Sequence, residues 1–297
     1  MPASNTSPSV PEASPYARHI PALDGVRGFA VLGVVSSHLF PFSPHSALQT
    51  ALHSALSFGA TGVDLFFVLS GFLITGILYD SLPDPAFFRK FYARRILRIF
   101  PLYYGVIAAF AIAALALGLN FHHELLSLAL YLQNSNRIAP QIGIYLGPSI
   151  LPLSHFWSLA IEEQFYLVWP ITVFLLRKKR SLLIFCSSAL LLCPLLRYTL
   201  SLHGVDYVTI HTNTLCRADS LLAGGALALL LRTTFHDRVL RAGGWLFLAG
   251  ALSLTLIATL GSLGLLPATS LGFLAAVALG YSAATAASTG LIALVLR

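Results

Sequence analysis

The residues that could do chemistry in this chain stand inside long apolar runs, where a charged or titratable side chain is costly and needs a partner or a task. In IPALDGVRGFAVLGVVSSHLF, residues 20–40, these are Asp24, Arg27 and His38. Arg27 and His38 lie eleven residues apart, three helical turns and about 20° of rotation, so a helix puts both on one face. Asp24 is one turn before Arg27. The rise from Arg27 to His38 is roughly 16 Å, about half of a ~30 Å hydrocarbon layer, so an arginine near the inner surface leaves the imidazole near the midplane. A histidine's ordinary pKa of ~6.5 suits a general base or a nucleophile; a hydrogen bond between helices is the structural alternative.

Three further segments carry such residues. FGATGVDLFFVLSGFLIT places Asp64 about two turns in from its outer end, with Gly59, Gly62 and Gly71 allowing close backbone approach. Asp64 serves either a site or a neighbouring helix. FRKFYARRILRIFPLYY sets Arg94, Arg95 and Arg98 at i,i+3 and i,i+4 spacing beside Tyr92, Tyr103 and Tyr104. Guanidinium groups so spaced can bind phosphate bidentately or stack on a planar ring, or can simply mark topology. SHFWSLAIEEQFYLVWP buries Glu162 and Glu163. Glu162 shares a helical face with His155, Tyr166 and Trp169, while Glu163 points about 100° away. Two buried acids and a distant histidine suit acid–base catalysis or proton relay. Arg217 and Asp219, in CRADSLLAGG, read as a local ion pair at the membrane surface. HExxH, P-loop and GxSxG motifs are absent, and the scattered histidines predict neither a metal site nor a bound cofactor.

The elements that must position these residues are membrane helices. The 297 residues are 57% hydrophobic and 10% charged, against ~25% charged in soluble domains. That composition excludes disorder and a soluble body. The net charge of +7 lies in short clusters between apolar runs, not on a basic stripe, so it marks orientation and not nucleic acid. Cys186, Cys193 and Cys216 form no CxxC pair and read as inert small hydrophobes. Residues 1–19, rich in Ser, Pro and Ala, read as a disordered cytoplasmic tail and not a signal peptide. Runs of spanning length recur at 20–40, 58–79, 99–119, 156–176, 182–202, 215–231, 243–260 and 267–287. The piece 124–134 is short enough to lie at the interface. The expected fold is therefore all-α, a polytopic membrane bundle of about eight transmembrane helices. With the N-terminus inside, fifteen of the 18 Lys and Arg residues fall on the cytoplasmic side, and only Arg137, Arg197 and Arg217 fall outside.

Together the strings ALDGVRGFAVLGVVSSH, GVDLFFVLSGFLIT, FYARRILRIFPLYY and HFWSLAIEEQFYLVWP resemble the acyltransferase-3 family of bacterial integral membrane acyltransferases, over residues 20–297. RADSLLAGGALA adds weaker support. The resemblance implies transfer of an acyl group, often acetyl, from cytoplasmic acyl-CoA to a hydroxyl of a cell-envelope or secreted carbohydrate, at the inner membrane. It implies a catalytic role for His38, ties Arg27, Arg95 and Arg98 to the donor or to activity, and includes Glu162 and Glu163 in its Glu-Glu-Gln-Phe-Tyr string. The family pattern continues with a further helical pair, so about ten helices are expected where eight are counted here.

The depths of these residues suggest a mechanism. Arg95 and Arg98, with Arg94 on the same segment and Arg27 nearby, would hold the phosphates of acyl-CoA at the inner face. The acceptor would enter from outside past Asp64, Glu162 and Glu163. His38 would remove its hydroxyl proton or carry the acyl group. A proton-coupled transporter using His38 and the buried acids as a relay is the rival reading. A non-catalytic membrane component is a third.

Overall fold

The computed structural model describes residues 20–39, 58–118, 122–135, 153–266 and 271–297. The expected tail, residues 1–19, lies outside them. The described residues form helices and turns with no strand. The helices are α1 (Pro21–Leu39), α2 (Gly62–Asp80), α3 (Phe87–Ala116), α4 (His122–Ala129), α5 (Trp157–Leu176), α6 (Lys179–Leu202), α7 (Tyr207–Thr212), α8 (Thr214–Leu230), α9 (His236–Ser262) and α10 (Leu271–Val295). Short 3-10 turns, Phe58–Thr61 and Leu153–Phe156, lead into α2 and α5.

Among the described residues each of the eight apolar runs is largely helical, but six helices are long and apolar enough to cross a membrane: α2, α3, α5, α6, α9 and α10. The two that fall short do so for different reasons. α1 has 19 residues and carries Asp24, Arg27 and polar residues at its far end. α8 has 17 residues, about 25 Å of rise, and sits in the middle of the bundle against α2, α6 and α10. A helix enclosed by protein need not be matched to lipid. The outer helices show the opposite pattern, with Trp245 77% and Leu191 74% exposed. Such faces are stable in lipid and costly in water.

The α2–α8 crossing is the axis of the bundle. A Cβ on Gly71 would stand 1.8 Å from the Leu221 carbonyl oxygen, and one on Gly224 1.9 Å from that of Val68. The two backbones therefore touch, as small residues permit in membrane helices. Gly59 of the preceding turn and Gly62 of α2 also lie close to α1, where a Cβ would stand 2.2 Å from the Gly33 carbonyl oxygen and 2.6 Å from that of Ala30. The basic end is pinned by Arg232, which donates to both carboxylate oxygens of Asp80 at 2.8 and 2.6 Å. Lys179 donates to the Arg232 carbonyl. This ties the first turn of α6 to the last turns of α2 and α8.

Candidate active site

Among the described residues two charged groups are folded into the bundle, and each is assembled from several helices. The first lies where α2, α3 and α5 meet. The hydroxyls of Ser70 and Tyr166 hydrogen-bond each other, and both also bond Glu162. The Arg95 guanidinium lies 4.7 Å from the Tyr166 ring and 5.8 Å from Phe91. Arg95 and Arg27 both act electrostatically on Glu162, so the carboxylate gathers cations from α1 and α3. Arg27 also pairs with Asp24 at 3.2 Å, one turn away.

The expected arginine fork divides. Arg95 faces inward and is only partly exposed, with Arg98 an exposed cation within electrostatic range of it. Arg94 is exposed, and its Nε donates to the Lys90 carbonyl at 3.0 Å. Neighbouring residues on a helix point about 100° apart, so Arg94 and Arg95 cannot share a face.

Glu163 turns towards a different neighbourhood, the aromatic cluster of α3 and the turn after α4. Tyr103 stacks on Tyr131 at 4.4 Å, and Glu163 acts electrostatically on both and on Tyr104. Among the described residues three buried oxygens here have no hydrogen-bond partner: Glu163 Oε1, Tyr131 Oη and Gln133 Oε1. Gln164 holds this turn to α5, donating to the Tyr131 carbonyl at 2.7 Å and to Asn134 at 2.9 Å. Asn134 in turn donates to Thr214 at 2.8 Å. The piece expected as an interfacial helix at 124–134 is the short α4 followed by this turn.

The second polar group lies towards the opposite end, between α2, α6, α8 and α10. Arg217 Nη2 donates to Asp64 Oδ1 at 2.8 Å, with side chains 1% and 5% exposed. Arg197 Nη2 pairs with Asp219 at 2.8 Å, with 0% and 1% exposed. Arg217 and Asp219 are thus not the surface pair that their proximity in sequence suggested. Residues two apart on a helix point about 200° from each other, and each finds a partner on another helix. Arg197 is likewise a buried residue and not a surface charge. Asp64 is not brought to Glu162: it stands six residues before Ser70 on α2, about 9 Å of rise away.

His38 is the penultimate residue of α1, roughly 7.5 Å of rise beyond the contact of Gly33 with Gly59. Its side chain lies outside the described residues. Cys186, Cys193 and Cys216 are buried and unbridged. Among the described residues no three His, Cys, Asp or Glu side chains are grouped as metal ligands. Sequence reasoning passed over Ser70, His211, Tyr281 and the role of Arg197. A serine among apolar residues and an arginine within a membrane run were the available signals; nothing local marked the other two.

Helices with lipid-facing surfaces around inward-turned acids and guanidinium groups define a polytopic membrane protein with a charged interior. The chain belongs to the Acyl_transf_3 family, described as an acyltransferase domain, whose profile matches residues 20–297. It is similar to a Staphylococcus aureus (strain COL) protein provisionally assigned as an O-acetyltransferase, 34% identical over 224 residues, covering 72% of this chain and 35% of the relative. It is also similar to YrhL of Bacillus subtilis (strain 168), provisionally assigned as a peptidoglycan O-acetyltransferase. That match is 35% identical over 225 residues, covering 72% of this chain and 33% of the relative. O-acetyltransferase OatA of Staphylococcus aureus (strain NCTC 8325 / PS 47) is 31% identical over 222 residues, with 72% and 35% coverage. The chain spans about a third of the length of these relatives. No solved structure matches it.

Proposed function

We propose that residues 20–297 form a membrane O-acyltransferase domain that moves an acyl group, acetyl in the simplest case, from acyl-CoA to a carbohydrate hydroxyl. The observation that carries this reading is the convergence of Arg27, Arg95 and Glu162 from three helices, with Ser70 and Tyr166 bonded to the same carboxylate. Family membership and the O-acetyltransferase relatives support it. In this scheme the domain crosses the inner membrane eight times with its N-terminus, behind the 1–19 tail, in the cytoplasm. Arg95 and Arg98 contact the phosphates of the donor, and Arg94 adds only charge. Glu162 and its two hydroxyl partners orient Arg95. His38 removes the proton of the acceptor hydroxyl as that oxygen attacks the thioester carbonyl and the CoA thiolate leaves, or its ring nitrogen takes the acyl group first. Glu163 and Asp64 lie towards the acceptor side.

The test uses the protein in lipid nanodiscs with radiolabelled acetyl-CoA, measuring CoA release and acylation of an added glycan. His38→Ala should abolish transfer while leaving membrane insertion and yield near wild type. Normal transfer by that variant overturns the role of His38. Substrate flux that follows a proton gradient, without any use of acetyl-CoA, would instead support a transporter.

A further inference from the structure

Beneath α7, between α2, α9 and α10, lies a cavity of about 410 Å³, within the ~300–1,000 Å³ range of small-molecule sites. Its walls differ in character. One is aliphatic, from Leu254, Ile257 and Val277; the other presents Asp64, Tyr207, His211 and Tyr281. The second wall is held by specific contacts. His211 Nδ1 bonds the Tyr281 hydroxyl at 2.8 Å. Tyr207 stacks on His211 at 5.6 Å, and Trp157 backs the imidazole at 4.4 Å. Arg217 lies over the Tyr281 ring at 4.1 Å.

This wall is also short of partners. Asp64 accepts from Arg217 at 2.8 Å and Ser220 at 3.3 Å, both on Oδ1, and Oδ2 takes no hydrogen bond among the described residues. The Arg217 guanidinium that holds Oδ1 sits behind this wall, buried against the Tyr281 and Phe67 rings. Arg197 shows the contrast, with all three nitrogens bonded: to Ala278, Cys216, Asp219 and Ser282. Arg197 is satisfied by the fold, whereas Asp64, which lines the cavity, keeps Oδ2 for a polar ligand or water. Burial, with the Arg217 charge beside it, pushes the His211 pKa down to about 3, so its imidazole is neutral. With Nδ1 engaged by Tyr281, the other nitrogen is left for a ligand.

We propose that this cavity is a subsite for an uncharged, hydroxyl-bearing sugar ring. The apolar C–H faces of a pyranose fit between Tyr207 and the aliphatic wall, and its edge hydroxyls can donate to Asp64 and bond His211. An anion would meet the Asp64 carboxylate, and an acyl chain would strand both polar groups. The sugar's role rests on the acyltransferase reading, under which it is the acceptor. Thr61 lines this cavity and also a second one of about 470 Å³ bounded by Ser36, two residues before His38.

Saturation-transfer NMR on the nanodisc-embedded protein, with N-acetylglucosamine as probe and glucuronate and hexanoate as comparisons, tests the assignment. Transfer to the ring protons of N-acetylglucosamine is expected, with binding about tenfold weaker in Tyr207→Ala, as one lost aromatic contact implies. Tyr207 is 55% exposed, so this variant should fold; His211→Gln is the second variant, with the same expected direction. Acetyl-CoA affinity should be unchanged in both. No transfer to the sugar, equal affinity in wild type and Tyr207→Ala, or preference for glucuronate or hexanoate would overturn the subsite. Sugar binding of the expected kind without CoA release from acetyl-CoA keeps the subsite and overturns the acyltransferase reading. CoA release without Tyr207-dependent sugar binding does the reverse.

Discussion

Arg217 of α8 reaches across the bundle axis to Asp64 of α2 and bonds it at 2.8 Å, with both side chains almost wholly removed from the surface. The residues are 153 positions apart in the chain. Their pairing depends on the glycine-lined approach of α2 and α8. A buried pair of this kind is more costly to break than it was favourable to form, because the surviving charge is left alone.

Removing one member should therefore destabilise the fold by about 3–5 kcal/mol, and removing both should cost less than the sum of the single changes. Thermal melts of Asp64→Ala, Arg217→Ala and the double variant in one detergent measure this. Additive effects would mean that the pair does not act as a unit.

The α2–α8 contact makes a sharper steric prediction. Gly71→Ala should lose the folded protein in detergent, since its Cβ would overlap a backbone carbonyl that cannot yield. Gly105→Ala meets nothing within 4 Å and should be neutral or stabilising by up to ~1 kcal/mol. Size-exclusion profiles of the two variants give the comparison.

The division of the arginine fork predicts different outcomes for like substitutions. Arg95→Lys should weaken acyl-CoA binding about tenfold, because ammonium cannot make the bidentate phosphate contact. Arg94→Lys should leave it unchanged. Isothermal titration with a non-hydrolysable acyl-CoA analogue distinguishes them, and equal losses would return both residues to a general electrostatic role.

His211 gives the stability a pH dependence whose sign is fixed. Its folded pKa of about 3 lies below the ~6.5 of an unfolded histidine. The unfolded chain therefore takes up the proton first as pH falls. The stability it contributes is full above ~6.5 and is lost between there and about 3. The wild-type melting temperature should fall between pH 7 and pH 5 more steeply than that of His211→Asn, by up to ~1.4 kcal/mol per pH unit in stability. Parallel curves would count against a buried neutral imidazole.

Orientation is open to chemical labelling, because the native cysteines are buried. With the basic end in the cytoplasm, a membrane-impermeant maleimide should label His203→Cys in intact cells and spare Arg238→Cys. The reverse pattern would invert the topology.

Hydropathy and charge in the sequence determined that the chain forms helices for a bilayer, and roughly where each begins. Those signals are local: an apolar run must be helical to satisfy its backbone in lipid, whatever its neighbours. The sequence also marked Arg27, Asp64, Arg95, Glu162 and Glu163, since a buried charge is conspicuous on its own helix. Only the tertiary structure decided the partners. Glu162 with Ser70, Asp64 with Arg217 and Arg197 with Asp219 all join different helices, and the registry of α2 on α8 follows from where glycines let those two backbones meet. The same packing decided that α8 is enclosed by other helices while α3 and α9 face outward, a difference composition alone does not carry. It also gathered Tyr207, His211 and Tyr281 into one wall, because no periodicity in the sequence links a short loop helix to the middle of α10.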